Sequence, residues 1–415
     1  METIQPLLGI LALPAIAWLM SENRRAFPWF IAAAGLLIQI VFVVALVRFD
    51  IAHDFFLQIN RGAQTLAAAT QEGTGFVFGY LGGAPLPFEE NAPGASFILA
   101  FGLLPLIFVI SALSALFWHW RILPAVIKVF SISLNRIFSL RGGVGVASAA
   151  NVFFGMVDSP LIIRPIFASL SRADIFLIMS CGMATIAGTV LVLYSQFLTP
   201  VMADPLEHLL TASVISVPAA IIFARIMIPS PESSADGDAR VPRSEYSGGM
   251  DALTQGTQQA MSPYFNILFM LIVLLALVYL CNGLLSFLPH FGGGPVTLQA
   301  IFGVIFKPLM WLIGIPWSEA HAAGALMGTK TALNEFIAYI ALAGDGGAEL
   351  SERSKLIMVY AMSGFANFGS VGIMVGGLSA IAPSRRSEIT ALGLRSLIPG
   401  TLATCMTGAV VAIAG

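Results

Sequence analysis

The chain has 415 residues, of which 57% are hydrophobic and only 10% are charged. Because soluble domains carry about 25% charged residues, this composition excludes a soluble globular protein and indicates a polytopic membrane protein in contact with lipid. The net charge of −2 excludes the basic field that a nucleic-acid partner requires.

Eight apolar segments are long enough to cross a bilayer, which takes about 20 helical residues. The first follows Met1-Glu2-Thr3 without a basic region or cleavage site, so a retained span is predicted and not a signal peptide. An amphipathic interfacial helix is expected at residues 53–70 and a peripheral helix at 119–140. The predicted spans lie at residues 4–21, 28–49, 96–118, 173–200, 206–228, 264–289, 354–381 and 388–414.

Two further apolar regions, residues 145–171 and 298–342, are each divided by a polar middle that contains Gly or Pro. Such backbone is tolerated at membrane depth only where it is buried in protein or lines a wet cavity. Both regions are therefore predicted to be re-entrant helical hairpins. For residues 298–342, an alternative is two full spans joined by a turn at Pro316.

The charges of the connecting segments predict the orientation. Basic residues gather on one side, at Arg24-Arg25, residues 121–141 and Arg385-Arg386, while the connections on the other side are mostly acidic. The positive-inside rule makes the basic side cytoplasmic and places both termini outside the cytoplasm. The polar residues 229–262 are expected to form a flexible cytoplasmic loop.

These features divide the chain into five predicted parts. They are N-terminal scaffold spans with interfacial and peripheral helices at 1–140, the first hairpin and repeat 1 of a transport domain at 141–228, the cytoplasmic loop at 229–262, a scaffold span at 263–290, and the second hairpin and repeat 2 at 291–415.

Each hairpin carries a polar stretch, and each is followed by an apolar helix with a Gly-containing break. The polar stretch at 151–160 precedes a break at 185–188, and the stretch at 329–336 precedes a break at 365–370. A broken helix frees carbonyls and helix-dipole ends for an ion or a polar ligand. Two such units indicate a secondary transporter with its site between repeats of opposite topology.

Two carboxylates lie within these stretches, Asp158 and Glu335. A carboxylate inside a bilayer costs roughly 2.5–3.5 kcal/mol on insertion scales, so it usually marks a substrate or ion site. The helix after each hairpin carries Leu-Ile-Met near its start, at Leu177 and at Leu356. This internal echo favours an inverted repeat over a chance similarity of Gly- and Ala-rich spans.

At these stretches the chain resembles the concentrative nucleoside transporters over nearly its whole length. The matching segments are Ala149-Ala-Asn-Val-Phe-Phe-Gly155, Ser159-Pro-Leu-Ile-Ile-Arg-Pro165, Ala184-Thr-Ile-Ala-Gly188, Gly314-Ile-Pro-Trp-Ser-Glu-Ala320, Lys330-Thr-Ala-Leu-Asn-Glu-Phe-Ile-Ala-Tyr339, Gly364-Phe-Ala-Asn367 and Leu378-Ser-Ala-Ile-Ala-Pro-Ser-Arg-Arg386.

The resemblance implies a homotrimer in the bacterial inner membrane, with a scaffold and a mobile transport part in each subunit. It also implies cation-driven nucleoside uptake by an elevator-like motion, with sodium as coupling ion and with no other cofactor or enzymatic activity. The residues implied at the ribose hydroxyls are Glu335, Asn367 and Ser370, and those packed against the nucleoside are Phe365 and Val190. The implied sodium ligands are Asn151, the Phe154 carbonyl, Thr185 and the Ile186 carbonyl.

One departure from the family lies at the first hairpin tip, which reads Gly155-Met156-Val157-Asp158. Here the family usually has Gly-Gln-Thr/Ser-Glu, whose Gln and hydroxyl residue bond the base. Met and Val form no such bonds, so the ribose half of the pocket is kept while the base half is changed. Altered or relaxed base selection is expected, for a modified, C-linked or purine nucleoside; impaired transport or another sugar-bearing ligand is the alternative.

Several residues have alternative roles. Glu335 can form a structural pair with Lys330, although five residues' separation is not ideal on a helix. Polar residues at the breaks can cap backbone ends, Val190 can be ordinary helix packing, and Asp158 can face substrate through water, carry a coupling proton or cap the second hairpin arm. The functional alternatives are a proton-coupled symporter and, more remotely, a membrane enzyme or assembly protein.

Overall fold

The computed structural model describes residues 4–48, 50–90, 96–140, 143–230, 246–289 and 296–414, and within these ranges every regular element is a helix. For residues 46–48 and 50–56 only the backbone is described. The side chains of Phe55 and Phe56, predicted to form the apolar side of the interfacial helix, therefore lie outside the described residues, as does Arg141.

The described N-terminal part contains three apolar helices, one long amphipathic helix, one four-residue helix and a peripheral helix. The predicted interfacial helix is longer than expected: it continues through Gly73 and Gly75 and ends before Gly79, where φ is +61°. The predicted peripheral helix is present as α6. These helices are α1 (Ile4–Leu19), α2 (Trp29–Arg48), α3 (Asp50–Phe78), α4 (Leu99–Gly102), α5 (Leu106–His119) and α6 (Ile122–Phe138).

The first predicted hairpin is a helix, a turn and two short helical pieces, followed by a helix that is broken as expected. Ser171 caps the helix before the break, since its Oγ accepts from the Asp174 N–H at 3.1 Å. Extended backbone at Thr185 ends that helix. The elements are α7 (Gly143–Ala150), α8 (Asp158–Leu161), α9 (Arg164–Phe167), α10 (Arg172–Ala184), α11 (Gly188–Leu198) and α12 (Pro205–Met227).

The prediction of a flexible loop at 229–262 is wrong for its second half, because a helix begins at Gly249. Several of its polar residues are good helix formers, and the Ser247 N–H donates to the Asp251 carboxylate at the start of the helix. The remaining elements are α13 (Gly249–Leu285), α14 (Leu298–Leu312), α15 (Ala320–Ala332), α16 (Glu335–Ala343), α17 (Glu352–Met362), α18 (Phe368–Ile381) and α19 (Arg386–Ala414).

The second predicted hairpin, residues 298–342, is also corrected, because it contains three helices and not two arms. A turn at Gly314, where φ is +110°, joins α14 to α15. The pair approaches closely, since a Cβ on Gly324 would lie 2.6 Å from the Gly303 carbonyl oxygen. The polar tip lies between α15 and α16. The alternative of two spans joined at Pro316 therefore predicts the turn near this residue but not the second break at Leu333.

The chain forms two compact units. One comprises Met1–His53, Ile127–Pro242 and Val278–Gly415, and the other Asp54–Val126 and Arg243–Leu277. The first 53 residues therefore group with both hairpins, whereas the predicted scaffold ran continuously over residues 1–140. The assignment of scaffold and transport roles stays a prediction.

In the part of the chain that the structure describes, five helical stretches are long and apolar enough to cross a membrane, and shorter apolar helices accompany them. Each of the eight predicted spans is mostly helical, and the fourth and seventh are broken at their centres. The long stretches are Leu99–His119, Arg172–Leu198, Pro205–Met227, Gly249–Leu285 and Pro383–Ile413.

Ion pairs fix the N-terminal end of α10 within the first unit. Arg225 of α12 donates from Nη2 to Asp174 Oδ1 at 2.7 Å, and both side chains are buried. Nearer the surface, Arg172 and Arg395 both donate to Glu22, in the connection between α1 and α2. The broken helix α10–α11 is thereby anchored at one end to three other elements.

Candidate functional site

The two broken helices meet at their breaks. The Phe365 N–H donates to the Thr185 carbonyl at 3.2 Å, so backbone from one break bonds backbone from the other. A Cβ on Gly364 would lie 2.9 Å from the Ala184 carbonyl, and only glycine allows this approach. The unpaired ends of four half-helices are thus brought together in the buried interior.

Glu335 lies at this crossing, in the first turn of α16. Asn334 caps the helix, since its Oδ1 accepts from the Ile337 N–H at 2.9 Å. Glu335 is 4% exposed. Its Oε1 accepts from the Tyr194 hydroxyl at 2.7 Å, and its Oε2 accepts from Asn367 Nδ2 at 3.0 Å. The carboxylate is therefore buried, hydrogen-bonded and shared by three helices.

The predicted residues Asn367 and Ser370 are both buried beside it. Asn367 is the N-cap of α18, and its Oδ1 accepts from the Ser370 N–H at 2.7 Å. The capping role and a place beside Glu335 therefore coexist in one side chain, because its oxygen caps while its nitrogen donates to the carboxylate.

Sequence reasoning missed Tyr194. It is buried on α11, one helical turn after Val190, so the two share a face. Its ring lies 5.4 Å from that of Tyr339 and 5.8 Å from that of Phe336. The signal was available in principle, because a tyrosine hydroxyl in an apolar helix needs a partner and Val190 was already a candidate.

The first hairpin tip rests on both broken helices. Met156 packs where Gly182 of α10 leaves room, since a Cβ there would lie 2.7 Å from the Met156 Cβ. Val157 packs on Gly377 of α18, where an added Cβ would lie 2.5 Å from the Val157 Cγ1. These contacts give both residues a packing role besides the predicted pocket lining. Asp158 is exposed.

The four residues predicted to bind sodium lie where the tip meets the α10–α11 break. Asn151 Nδ2 donates to the Ala147 carbonyl at 3.1 Å, while its buried Oδ1 bonds no described residue. A Cβ on Gly182 would lie 3.5 Å from that Oδ1, so the oxygen faces α10. The Thr185 hydroxyl donates to the Cys181 carbonyl at 3.0 Å and retains its acceptor lone pairs.

The oxygen atoms of these four residues are suitable ligands for an alkali cation. They are neutral amide, hydroxyl and carbonyl oxygens, and Asn151 leaves a buried acceptor that a cation would satisfy. The Ile186 carbonyl accepts only one long bond, from the Ser213 hydroxyl at 3.4 Å, and Phe154 is half-buried. Among the described residues no group of three His, Cys, Asp or Glu side chains could hold another kind of metal ion.

Two family models match the chain. The model described as the C-terminus of Na+ dependent nucleoside transporters matches residues 208–412, and the corresponding N-terminal model matches residues 8–81.

Similar proteins are matched over nearly their whole length. The chain is 34% identical to an uncharacterized transporter, YutK, of Bacillus subtilis, over 99% of both chains. It is 31% identical to the nucleoside permease NupC of Helicobacter pylori, over 97% of this chain and 95% of the permease.

Solved structures of the transporter CNTnw have the same fold. An inward-facing, substrate-bound state matches with a TM-score of 0.91 and 32% identity, covering 100% of this chain and 99% of the other. An outward-facing state of a double variant matches with a TM-score of 0.90 and 31% identity, covering 100% and 98%. These matches confirm the predicted all-helical, polytopic membrane fold. The chain belongs to the concentrative nucleoside transporter family, whose members are integral membrane transporters and not enzymes.

Proposed function

We propose that this protein imports nucleosides by symport with sodium and that Glu335 binds the ribose. The observation that carries the proposal is the buried carboxylate held by Tyr194 and Asn367 where the two breaks cross. A carboxylate accepts about four hydrogen bonds, so two acceptor positions remain for a pair of neighbouring hydroxyls. Hydrogen bonds that both hydroxyls of a ribose donate to a charged carboxylate are stronger than bonds between neutral groups.

The neighbours of the carboxylate suit the rest of a nucleoside. Phe365 and Val190 offer apolar surface from the two broken helices, and Ser370 offers a hydroxyl beside Asn367. We assign the sugar to Glu335, Asn367 and Ser370, and the packing of the nucleoside to Phe365 and Val190.

Sodium binding is coupled to this site through the backbone. Asn151 and Phe154 belong to the tip, and Thr185 and Ile186 to the α10–α11 break. An ion held by both would fasten the tip to the break, and Thr185 is already bonded to Phe365. In this account the bound sodium positions the backbone of the α10–α11 break, and the nucleoside packs beside it.

The base half of the pocket is formed without polar side chains at positions 156 and 157. Met156 and Val157 are committed to packing against Gly182 and Gly377, which leaves Asp158 as the polar group of the tip. We infer altered or relaxed base selection, for a modified, C-linked or purine nucleoside, since no buried partner is left unpaired when the base lacks matching groups.

The family also supports the remaining features of the proposal. We place the protein in the bacterial inner membrane as a homotrimer in lipid, with both termini outside the cytoplasm. Transport would follow an elevator-like movement. The inward-facing and outward-facing structures of the relative are consistent with the two end states of such a movement. One positive charge entering through 100 mV gains about 2.3 kcal/mol, enough to drive a substantial gradient.

Proton coupling is the second candidate, and the exposed carboxylate of Asp158 at the tip favours it. Uptake into proteoliposomes, with and without an inward sodium gradient and across pH, separates the two. Sodium symport predicts stimulation by sodium that is lost in Asn151→Leu and kept in the control Asn266→Leu, an exposed asparagine. Sodium-independent uptake that rises with acidity would instead establish proton coupling.

A further inference from the structure

Lys330 is a buried cation that neither proposed site uses. Its side chain is 0% exposed in the last turn of α15, and its Nζ forms no hydrogen bond with the described residues. A buried ammonium is strongly unfavourable unless opposite charge and hydrogen-bond acceptors compensate it. Its position therefore requires a compensating partner.

The surroundings of Lys330 provide negative charge. The Glu335 carboxylate interacts with it electrostatically. The C-terminal end of α15 adds the partial negative charge of its unpaired carbonyls. The direct bonds to Glu335 come from neutral groups, Tyr194 and Asn367, so Lys330 supplies the positive charge that acts on this carboxylate.

When the two repeats are aligned in sequence, Lys330 matches Asn151. Lys330 follows Asn151 by the same interval by which Leu356 follows Leu177, the start of the echoed Leu-Ile-Met. In this register α7 matches α15, α10 matches α17 and α11 matches α18. Asn151 directly follows α7, and Lys330 lies in the last turn of α15; α7 contacts α10, and α15 contacts α17.

The two positions have complementary polar groups. In repeat 1, the buried Asn151 Oδ1 bonds no described residue, and a cation would satisfy it. In repeat 2, the side chain at the matching position is itself a cation that forms no hydrogen bond with the described residues. We propose that the Lys330 ammonium is a tethered cation that occupies, in repeat 2, the place that sodium occupies in repeat 1. This inference rests on the sodium site proposed above.

The tethered cation has two consequences. The Lys330 ammonium remains in the second repeat throughout the transport cycle, whereas sodium enters and leaves the first repeat, so each nucleoside is transported with one sodium ion. It also balances the charge of Glu335, so this pair adds no net charge to the substrate-free protein as it returns.

Three variants in proteoliposomes test the inference. Lys330→Asn restores the repeat 1 residue and is expected to give a steeper, two-ion sodium dependence of uptake. Lys330→Met removes the charge without offering a ligand and is expected to weaken nucleoside binding at least about tenfold at every sodium concentration, with one-ion dependence kept. The control Lys355→Met removes a cation that pairs with Glu352 near the surface and is expected to change neither property.

Unchanged sodium dependence in Lys330→Asn together with unchanged affinity in Lys330→Met would overturn the tethered cation. If the variants do not fold, the charge-to-nucleoside ratio of the wild type decides: one charge supports the inference and two contradict it. Wild-type uptake that is independent of sodium would overturn both the proposed symport and the tethered cation. Sodium-driven uptake with insensitive Lys330 variants overturns the tethered cation alone.

Discussion

At the scale of single residues, Glu335 combines burial with two direct side-chain donors and the electrostatic effect of the buried cation Lys330. A buried carboxylate is kept only where hydrogen bonds offset its desolvation, and Tyr194 and Asn367 supply them from two different broken helices. The same arrangement leaves acceptor positions free, so the residue is stabilised in the substrate-free protein and still able to bind hydroxyls.

Replacing Tyr194 with Phe tests the contribution of its hydroxyl. The substitution leaves Glu335 Oε1 without its donor, and a hydrogen bond to a charged group contributes about 1.5–3 kcal/mol. We expect a lower melting temperature without substrate and a larger stabilisation by nucleoside, because ribose then supplies the missing donor. Thermal unfolding with and without nucleoside measures both effects. Tyr279→Phe, at an exposed tyrosine, is the control, and equal melting temperatures for the two variants would contradict the assigned role.

At the scale of elements, the contact of the first tip with α18 links the two repeats. Val157 occupies the space left by Gly377, whereas a Cβ on the adjacent Gly376 would contact nothing within 4 Å. The chain therefore contains its own matched pair of glycines for testing the contact.

Gly377→Ala is expected to destabilise the protein by about 1–3 kcal/mol and to reduce uptake, because the new methyl group clashes with Val157. Gly376→Ala is expected to be neutral. Adding Val157→Ala to Gly377→Ala should restore stability, since the smaller side chain makes room. Denaturation and uptake of the three variants check this, and equal effects of the two glycine substitutions would exclude Val157 from the contact.

The composition of the tip is tested by Met156→Gln combined with Val157→Thr. These residues restore hydrogen-bonding groups where the family usually has them, so we expect the uptake ratio of pyrimidine to purine nucleosides to rise. Competition assays with a panel of nucleosides measure the ratio. An unchanged profile would show that these two positions do not select the base.

Local patterns in the sequence were sufficient to predict the helices and both breaks. Glycine and polar residues inside apolar runs marked the breaks at Thr185 and Asn367, because such residues interrupt a helix wherever it lies. The tyrosine partner of Glu335 and the close pairing of α14 with α15 were not predicted, since both depend on contacts between distant segments. The helical start at Gly249 was missed because polar composition alone does not distinguish a loop from a solvated helix.

At the scale of the whole molecule, residues distant in sequence join at Glu22 in the connection between α1 and α2. It accepts hydrogen bonds from Arg172 of α10 and Arg395 of α19. Partial burial acts to raise its pKa, but the hydrogen bonds and positive charges of Arg172 and Arg395 outweigh it and hold the pKa below the ordinary carboxyl value.

Because the folded pKa is depressed, the contribution of Glu22 to stability is present above the ordinary carboxyl pKa and is lost as the pH falls through the lowered value. We expect Glu22→Gln to lower the melting temperature modestly at neutral pH, since the pair is partly exposed, and to have no such effect in strong acid. Melting curves across pH measure this. A difference that is the same at every pH would exclude the charge as its cause.

The central claim, that Glu335 binds the ribose hydroxyls, is tested most directly by a double comparison of binding. Dissociation constants are measured with sodium for a nucleoside and its 2′,3′-dideoxy analogue, in the wild type and in Glu335→Gln. We predict that the wild type prefers the nucleoside by at least about tenfold and that this preference largely disappears in the variant. The same preference in both proteins would contradict the claim.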